Sequence, residues 1–186
     1  AATNIISQYI NLEPREIEGY DAMLMYMTPD TKAGQFTFRG DMTKITKYEQ
    51  QGLATEDLLR RNGNPELRYT LSLNWEYKAF NAFASMRYID DFYDSSLYAT
   101  GSDISGTYNP DLNRTYWDVD DWTTYNLSVR YDFGYAGNRA NGLVLSGGIR
   151  NLTDELPPFA DESFGYRRQV HNSYGRVWWL KVDYTF

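Results

Sequence analysis

The sequence contains no cysteine, few cations and no long hydrophobic run. The absence of cysteine excludes a disulfide framework and thiolate metal sites. No apolar run approaches the about 18 to 20 residues of a membrane helix, which excludes a helical membrane protein. Acidic residues outnumber basic ones, and the formal net charge of -7 argues against a general nucleic-acid binder.

Aromatic residues, in contrast, are abundant: they make up 17% of the chain, with 17 tyrosines. Many of them lie in segments where apolar and polar residues alternate, and residues 66–77, ELRYTLSLNWEY, show this most clearly. Every second residue is apolar, namely Leu67, Tyr69, Leu71, Leu73, Trp75 and Tyr77, and the residues between them are all polar. Period two predicts a β-strand with one apolar and one polar face.

Seven such segments predict an all-β chain with antiparallel strands. They cover roughly residues 9–27, 34–48, 66–77, 80–93, 123–133, 142–152 and 176–186. Each is about as long as a tilted membrane crossing by a strand. Short connections at 28–34, 78–79 and 134–142 alternate with long ones at 49–65, 94–123 and 153–173. This asymmetry predicts a transmembrane β-barrel segment with short periplasmic turns and long external loops.

Two belts of aromatic residues agree with this interpretation, because aromatic side chains concentrate at both membrane interfaces. The belt near the short turns comprises Tyr26, Phe36, Tyr77, Phe80, Phe133, Tyr184 and Phe186. The belt toward the long loops comprises Tyr48, Tyr69, Tyr88, Phe92, Tyr125 and Trp178. The alternative, a soluble β-sandwich, also alternates, but its outward face is polar and its inner face packs a core. The apolar last strand is expected to face lipid and to end in the periplasm.

Three stretches resemble the C-terminal portion of TonB-dependent outer-membrane receptors. The first is NLEPREIEGYDAMLMY at 11–26, and the second is GIRNLTDELPPF at 148–159, close to the family's Asn-Leu-x-Asp-x-x-Pro-Pro pattern. The third, YGRVWWLKVDYTF at 174–186, is similar to the family's closing strand. That strand resembles the terminal signal read by the barrel-assembly machinery. The residues of this assembly signal are Trp178, Leu180, Val182, Tyr184 and Phe186.

The resemblance implies a 22-stranded barrel with a plugged lumen. Seven strands cannot close such a barrel, so residues 1–186 are expected to be the C-terminal part of a single barrel domain whose plug and earlier strands are absent. The implied partners are the remainder of the receptor, TonB through the missing N-terminal part, the barrel-assembly machinery, and outer-membrane lipid with lipopolysaccharide. The implied function is import of a scarce nutrient, such as a siderophore or a glycan, across the outer membrane of a Gram-negative cell.

A second topology stays open. Residues 3–11, TNIISQYIN, could form a separate strand that turns at 13–16 into the next. Eight strands suffice for a small self-contained barrel with a structural or adhesive role and no transport. The alternation in this stretch is poor, because Ile5 and Ile6 fall on opposite faces.

Candidate ligand residues lie in the predicted external loops. The longest loop holds Tyr98, Tyr108, Tyr116 and the segment WDVDDW, which contributes Trp117, Asp118, Asp120, Asp121 and Trp122. Aromatic, amide and carboxylate groups suit stacking on sugars or on aromatic siderophore groups. The carboxylate spacing does not match a calcium-binding EF-hand loop, so no metal or cofactor is predicted.

The last loop supplies Arg167, Arg168 and His171, the only histidine. The arginines could pair with an anionic ligand or with lipopolysaccharide phosphates, or could serve loop solubility alone. His171 and Ser173 share a face, but the sequence designates no complete nucleophile, base and orienting group, and no enzyme is predicted. The charged residues expected to point into the lumen are Arg39, Asp41, Arg68, Glu76, Arg130 and Asp132.

Overall fold

The computed structural model describes residues 14–51, 56–94, 107–109, 114–135, 142–160, 162 and 164–185. Its main sheet has seven antiparallel strands, which neighbour one another in chain order. These are β1 (Arg15–Met27), β2 (Gln35–Gln50), β4 (Leu67–Tyr77), β5 (Phe80–Ile89), β9 (Trp122–Asp132), β10 (Leu143–Arg150) and β11 (Val177–Tyr184). The predicted fold class, an all-β antiparallel barrel segment of about seven strands, is confirmed.

Strand register places the apolar side chains of successive strands side by side. Leu71 of β4 pairs with Gly40 of β2 and Met86 of β5. Further along the sheet, Leu127 of β9 pairs with Ile149 of β10, which in turn pairs with Trp178 of β11. Because facing residues in a ladder share a face, one apolar face runs without interruption from β1 to β11.

Aromatic rings lie along this apolar face at both ends of the strands. The rings of Tyr69 and Tyr88 stack with centroids 4.8 Å apart. Toward the other end, the Trp75 ring lies 6.3 Å from Phe36, and its Nε1 donates a hydrogen bond of 2.8 Å to the Ala33 carbonyl in the turn before β2. The indole therefore fixes a short turn to the sheet while its ring covers apolar surface.

The opposite face of the sheet is polar. Arg68, Thr70, Ser72 and Asn74 of β4 lie on it, as the alternation predicts. Hydrogen bonds between strands connect its side chains: Asn81 donates to Asn74 at 2.8 Å, and Asn126 donates to Ser85 at 3.1 Å. These contacts satisfy polar groups where a soluble sandwich would pack an apolar core.

The short connections lie at one end of the main sheet and the long connections at the other. The short-turn end carries the described residues of the connections 28–34, 78–79 and 133–142, and the long-loop end carries the described residues of the connections 51–66, 90–121 and 151–176. The outer strands β1 and β11 each pair with one neighbour only among the described residues, so this sheet is open rather than closed. No helix in the same residues is long and apolar enough to cross a membrane.

The long connections contain regular structure that the alternation did not predict. The segment 80–93, expected as one strand, breaks after Ile89. Its second part, β6 (Phe92–Asp94), joins a separate three-stranded sheet with β8 (Arg114–Val119) and β7 (Thr107–Asn109). The first long connection holds β3 (Glu56–Asp57), paired with β2, and then a hydrogen-bonded turn.

The prediction that Phe92 belongs to the aromatic belt near the long loops is wrong, because its side chain is completely buried among the loops. The residues 1–13, including the stretch that decides between seven and eight strands, lie outside the described residues, as does Phe186 of the assembly signal. The other four residues of that signal lie in β11 and alternate on its apolar face.

Candidate ligand site at the long-loop end

The loops at the long-loop end are built around a small hydrophobic core. Phe92 of β6, Val119 of β8 and Ala160 of the last loop are completely buried and in contact, and Trp117 and Val170 pack against them. These residues come from two different connections, so each loop buries apolar surface only when the other is in place. Their burial fixes the relative positions of the two loops.

An ion pair reinforces this junction. Asp94 at the end of β6 is completely buried, and its Oδ1 lies 3.7 Å from Arg167 Nη1 in the last loop. The same guanidinium also pairs with Glu162. Burial of a carboxylate is costly without a cation, so Asp94 and Arg167 favour one arrangement of the two loops.

The first long connection joins the same assembly through backbone hydrogen bonds. The Asn62 amide donates to the Tyr93 carbonyl at 2.7 Å, and the Tyr93 amide donates to the Arg60 carbonyl at 2.6 Å. The Arg60 guanidinium pairs with Asp91 and lies 5.0 Å from the centre of the Tyr93 ring. We call the three joined segments, residues 58–65, 89–94 with 114–122, and 151–176, the loop assembly.

His171 lies at the base of the loop assembly. Its ring stacks on Phe92 with a centroid distance of 5.7 Å and meets the Trp122 ring edge-on at 5.3 Å. The side chain is only 4% exposed, and neither ring nitrogen has a hydrogen-bond partner in the described part of the chain. Burial, together with the nearby positive charges of Arg87 and Arg68, lowers the pKa of His171 to about 4. The imidazole is therefore neutral at pH 7.

Acidification is expected to loosen the loop assembly. The folded-state pKa of His171 lies below its ordinary value of 6.5. The neutral imidazole therefore contributes its full stabilisation of the loop assembly above pH 6.5, and this contribution is lost as the pH falls toward 4. At pH 5 the expected loss is about 2 kcal/mol. Hydrogen exchange of residues 151–176, corrected for the intrinsic pH dependence of exchange, measures this loss of stability. His171→Phe keeps a ring in place and should abolish the extra protection change between pH 7 and pH 5; an unaltered change in this variant contradicts the assignment.

Two side chains of the segment after β10, residues 151–155 with the sequence NLTDE, form hydrogen bonds to neighbouring backbone groups. Asn151 has a φ of 52°, a left-handed conformation that Asn tolerates well. Its side-chain amide donates to the carbonyls of Glu155 and Tyr174 at 2.8 and 3.3 Å, and its Oδ1 accepts from the Glu155 amide at 2.9 Å. Asp154 Oδ1 accepts from the Arg176 amide at 2.6 Å. The segment thus connects the end of β10 to the start of β11.

A pocket of about 480 Å³ lies between the last loop and the polar face of the sheet. Its wall is formed by Arg87 of β5, by Thr124 and Asn126 of β9, and by Arg150 of β10. The remaining lining residues are Trp122, Asn151, Asn172, Tyr174, Gly175 and Val177. Guanidinium, amide and hydroxyl groups thus converge beneath the loop assembly, and we call this space the rim pocket.

The structure distributes the predicted ligand residues over different environments. Tyr116, Trp122 and His171 are buried and belong to the loop assembly, whereas Asp118, Asp120, Asp121 and Arg168 are exposed. Trp117 is half-buried, and its Nε1 donates to the Phe159 carbonyl at 2.9 Å. Tyr98 and the side chain of Tyr108 lie outside the described residues. A ligand contact by any of these residues stays a prediction.

Sequence reasoning missed Arg87, Arg150 and Asn151 as site residues. Arg87 and Arg150 are each one polar residue in an alternating strand, and nothing local distinguishes them from Arg130. Their proximity arises from register, because Arg87 pairs with Thr124 of β9 and Ile149, beside Arg150, pairs with Leu127 of the same strand. The position of Arg150 immediately before the NLTDE segment is the one signal that could have drawn attention to it.

An open antiparallel sheet with one apolar face, one polar face and all long loops at one end has the fold of part of an outer-membrane β-barrel. Comparison with solved structures finds this fold in the ferric-catecholate import receptor Fiu from E. coli K12, in its closed form. The TM-score is 0.56 and the sequence identity 20%, and the match covers 92% of this chain. The chain spans about a fifth of that receptor, 21% of its length. No protein-family model and no curated protein matches the chain.

Proposed function

We propose that the chain is the C-terminal part of the barrel of a TonB-dependent outer-membrane receptor, which captures a scarce nutrient and imports it. The observation that carries this proposal is the division of the molecule into an apolar face, a polar face and one end bearing the loop assembly. A receptor wall needs each of these: lipid on the outside, a plugged lumen on the inside, and a capture surface toward the medium.

The exposure of the apolar face supports a lipid environment. Trp178 and Leu180 of β11 are 70% and 73% exposed, and nothing in the described residues packs over them. A stable protein in water rarely leaves so continuous an apolar surface uncovered. β11 runs from the long-loop end to the short-turn end, so under this proposal, with the long loops toward the medium, the C-terminus would lie in the periplasm.

The open edges support the proposed partners. Within a bilayer, an unpaired edge strand leaves backbone groups unsatisfied, at a cost of several kcal/mol each. We infer that strands of the remaining receptor pair with β1 and β11, and that a plug fills the lumen along the polar face. TonB would act through that plug, and the barrel-assembly machinery would read the terminal strand. Lipopolysaccharide would surround the apolar face at the long-loop end.

The nutrient we propose first is a siderophore complex, because the structural neighbour is described as an import receptor for ferric catecholates. A glycan is the second candidate. Tyr174, which lines the rim pocket, is 76% exposed, and an exposed aromatic ring offers a stacking surface for a sugar.

Fractionation and uptake together test the proposed function. The intact protein, produced in a Gram-negative host, should appear in the outer-membrane fraction and migrate as a heat-modifiable barrel. Uptake of iron-55 bound to a catecholate siderophore should depend on both the protein and TonB. Residues 1–186 alone should not form a heat-resistant monomer, since their sheet is open. A folded monomer of 21.7 kDa would instead favour the self-contained eight-stranded barrel, and uptake that persists without TonB would contradict the transport mechanism.

A further inference from the structure

Cationic side chains on the polar face fall into two groups according to their distance along the strands from the long-loop end. Those away from the long-loop end have a carboxylate two residues further along the same strand. Arg39 Nε lies 2.8 Å from Asp41, Arg130 Nη2 lies 3.6 Å from Asp132, and Lys181 Nζ lies 2.8 Å from Asp183. Residues two apart on a strand share a face, so each of these charges is neutralised locally.

Two arginines of the polar face near the long-loop end, Arg87 and Arg150, have no such partner among the described residues. Arg87 lies two residues before the end of β5, and Arg150 is the last residue of β10. Neither guanidinium has a carboxylate within ion-pair distance among the described residues, although both line the rim pocket. Arg68, at the start of β4, adds a third charge nearby, and within the described part of the chain it donates a 3.5 Å hydrogen bond to the Gly63 carbonyl.

Two further observations favour binding of an anionic or hydrogen-bond-accepting ligand in the rim pocket. Trp122 lines it, is almost completely buried, and has an indole Nε1–H without an acceptor in the described residues. A buried donor without an acceptor is uncommon in folded proteins. In addition, the depressed pKa of His171 reflects the positive charges of Arg87 and Arg68 as well as burial. Positive charge and a spare donor therefore converge on one side of the loop assembly.

We propose that the rim pocket is an anion site that binds a small ligand bearing two or more carboxylate or phosphate groups, held between Arg87 and Arg150. The planar guanidinium fork matches the paired oxygens of these groups and can hold each with two hydrogen bonds. The side chains of Asn126 and Asn172 offer further donors from the sheet and from the last loop. A volume of about 480 Å³ falls within the range of small-molecule sites.

This site rests on the proposed function, since it faces the lumen only if the polar face lines a barrel. Its ligand chemistry has two possible sources: a soluble polyanion entering from the medium, or a lipid A phosphate of lipopolysaccharide. Enclosure by the polar face and the last loop favours the soluble source, because lipid lies on the opposite face of the sheet. The two sources call for separate measurements.

Calorimetric titration of the intact protein, purified in detergent and stripped of lipopolysaccharide, provides the first measurement. Citrate and inorganic pyrophosphate are the probes, and acetate is the monovalent control. Citrate should bind saturably, and acetate should not. Arg87→Gln and Arg150→Gln should each weaken citrate binding about tenfold or more, because each removes a charge-assisted pair of hydrogen bonds. Arg130→Gln, which removes a neutralised arginine of the same face, should leave the affinity unchanged.

The second measurement quantifies the lipopolysaccharide that remains bound during purification from cells. Loss of lipopolysaccharide from Arg87→Gln and Arg150→Gln, with competition between lipid A and citrate, assigns the lipid source; an unchanged content assigns the soluble source. Heat-modifiable migration of each variant confirms that it is folded. The anion site is refuted if neither probe nor lipopolysaccharide binds saturably, or if Arg130→Gln weakens binding as much as Arg87→Gln.

A third outcome also contradicts the proposal. If Arg87→Gln and Arg150→Gln lower thermal stability but leave citrate affinity unchanged, the arginines are counter-ions for carboxylates elsewhere in the receptor. Failure of this inference can be told apart from failure of the proposed function. A protein that reaches the outer membrane and imports its nutrient through TonB, yet binds no polyanion, retains the function and loses the site. A protein absent from that membrane loses the function whatever the titration shows.

Discussion

Phe92→Ala is expected to destabilise the loop assembly by about 3 to 5 kcal/mol while the main sheet persists. The side chain is completely buried, contacts Val119 and Ala160, and stacks on His171. Truncation therefore removes apolar contacts to two loops at once and leaves a cavity that neither loop can fill alone. Because β6 pairs only with β8 among the described strands, the loss should not reach the ladder between β5 and β9.

Hydrogen exchange in the intact protein measures this effect segment by segment. Protection should fall in residues 89–94 and 151–176 and should be retained in residues 67–77. Phe83→Ala is the matched control, because Phe83 lies on β5 and is 37% exposed, so its truncation should leave the loop assembly protected. Equal loss of protection in both variants, or loss throughout the main sheet, would show that the loops have no core of their own.

Replacement of Asn151 should separate the last loop from the closing strand. Asn151→Ala removes side-chain hydrogen bonds to Glu155 and Tyr174 and places a non-glycine residue without a compensating amide at a φ of 52°. Unsatisfied buried backbone groups cost about 1 to 3 kcal/mol each. The expected total is therefore at least about 3 kcal/mol, and the start of β11 should lose protection together with residues 151–157.

A second variant divides this effect into its two causes. Asn151→Gly permits the left-handed backbone but supplies no amide, so its stability should lie between that of the natural protein and Asn151→Ala. Asn81→Ala, which breaks one interstrand side-chain bond to Asn74, is the control for loss of an amide elsewhere on the polar face. If Asn151→Gly is as stable as the natural protein, the amide contacts contribute nothing and the backbone conformation alone explains the residue.

The main sheet was predictable because its signal is local and repeated. In β4 every second residue is apolar over the full strand, and the register needed to align Leu71 with Met86 follows from the two-residue turn at 78–79. The loop strands carry no such signal. β6 and β7 are three residues each, too short to show a period. The pairing of β6 with β8 also joins residues well separated in the chain, such as Phe92 and Val119.

The candidate site was predictable only in part, for a related reason. Arg167 and His171 attracted attention through residue type, and the structure places both within the loop assembly. Their burial depends on Asp94 and Phe92, which lie about 75 residues earlier and have ordinary local contexts. The rim pocket is defined by neighbouring strands, so no single stretch of sequence contains it. A polar residue in an alternating strand becomes a site residue only through its neighbours in the folded sheet.

Under the proposed function the loop assembly faces the medium, and its shared core then bears on how antibodies would recognise the protein. Residues 58–65, 89–94 and 151–176 hold one another in place through Tyr93, Asp94 and Arg167. Antibodies raised against the native surface would therefore recognise discontinuous epitopes assembled from several loops. A synthetic peptide that copies one loop would lack the packing that shapes it, and an immunogen would have to present the joined loops together.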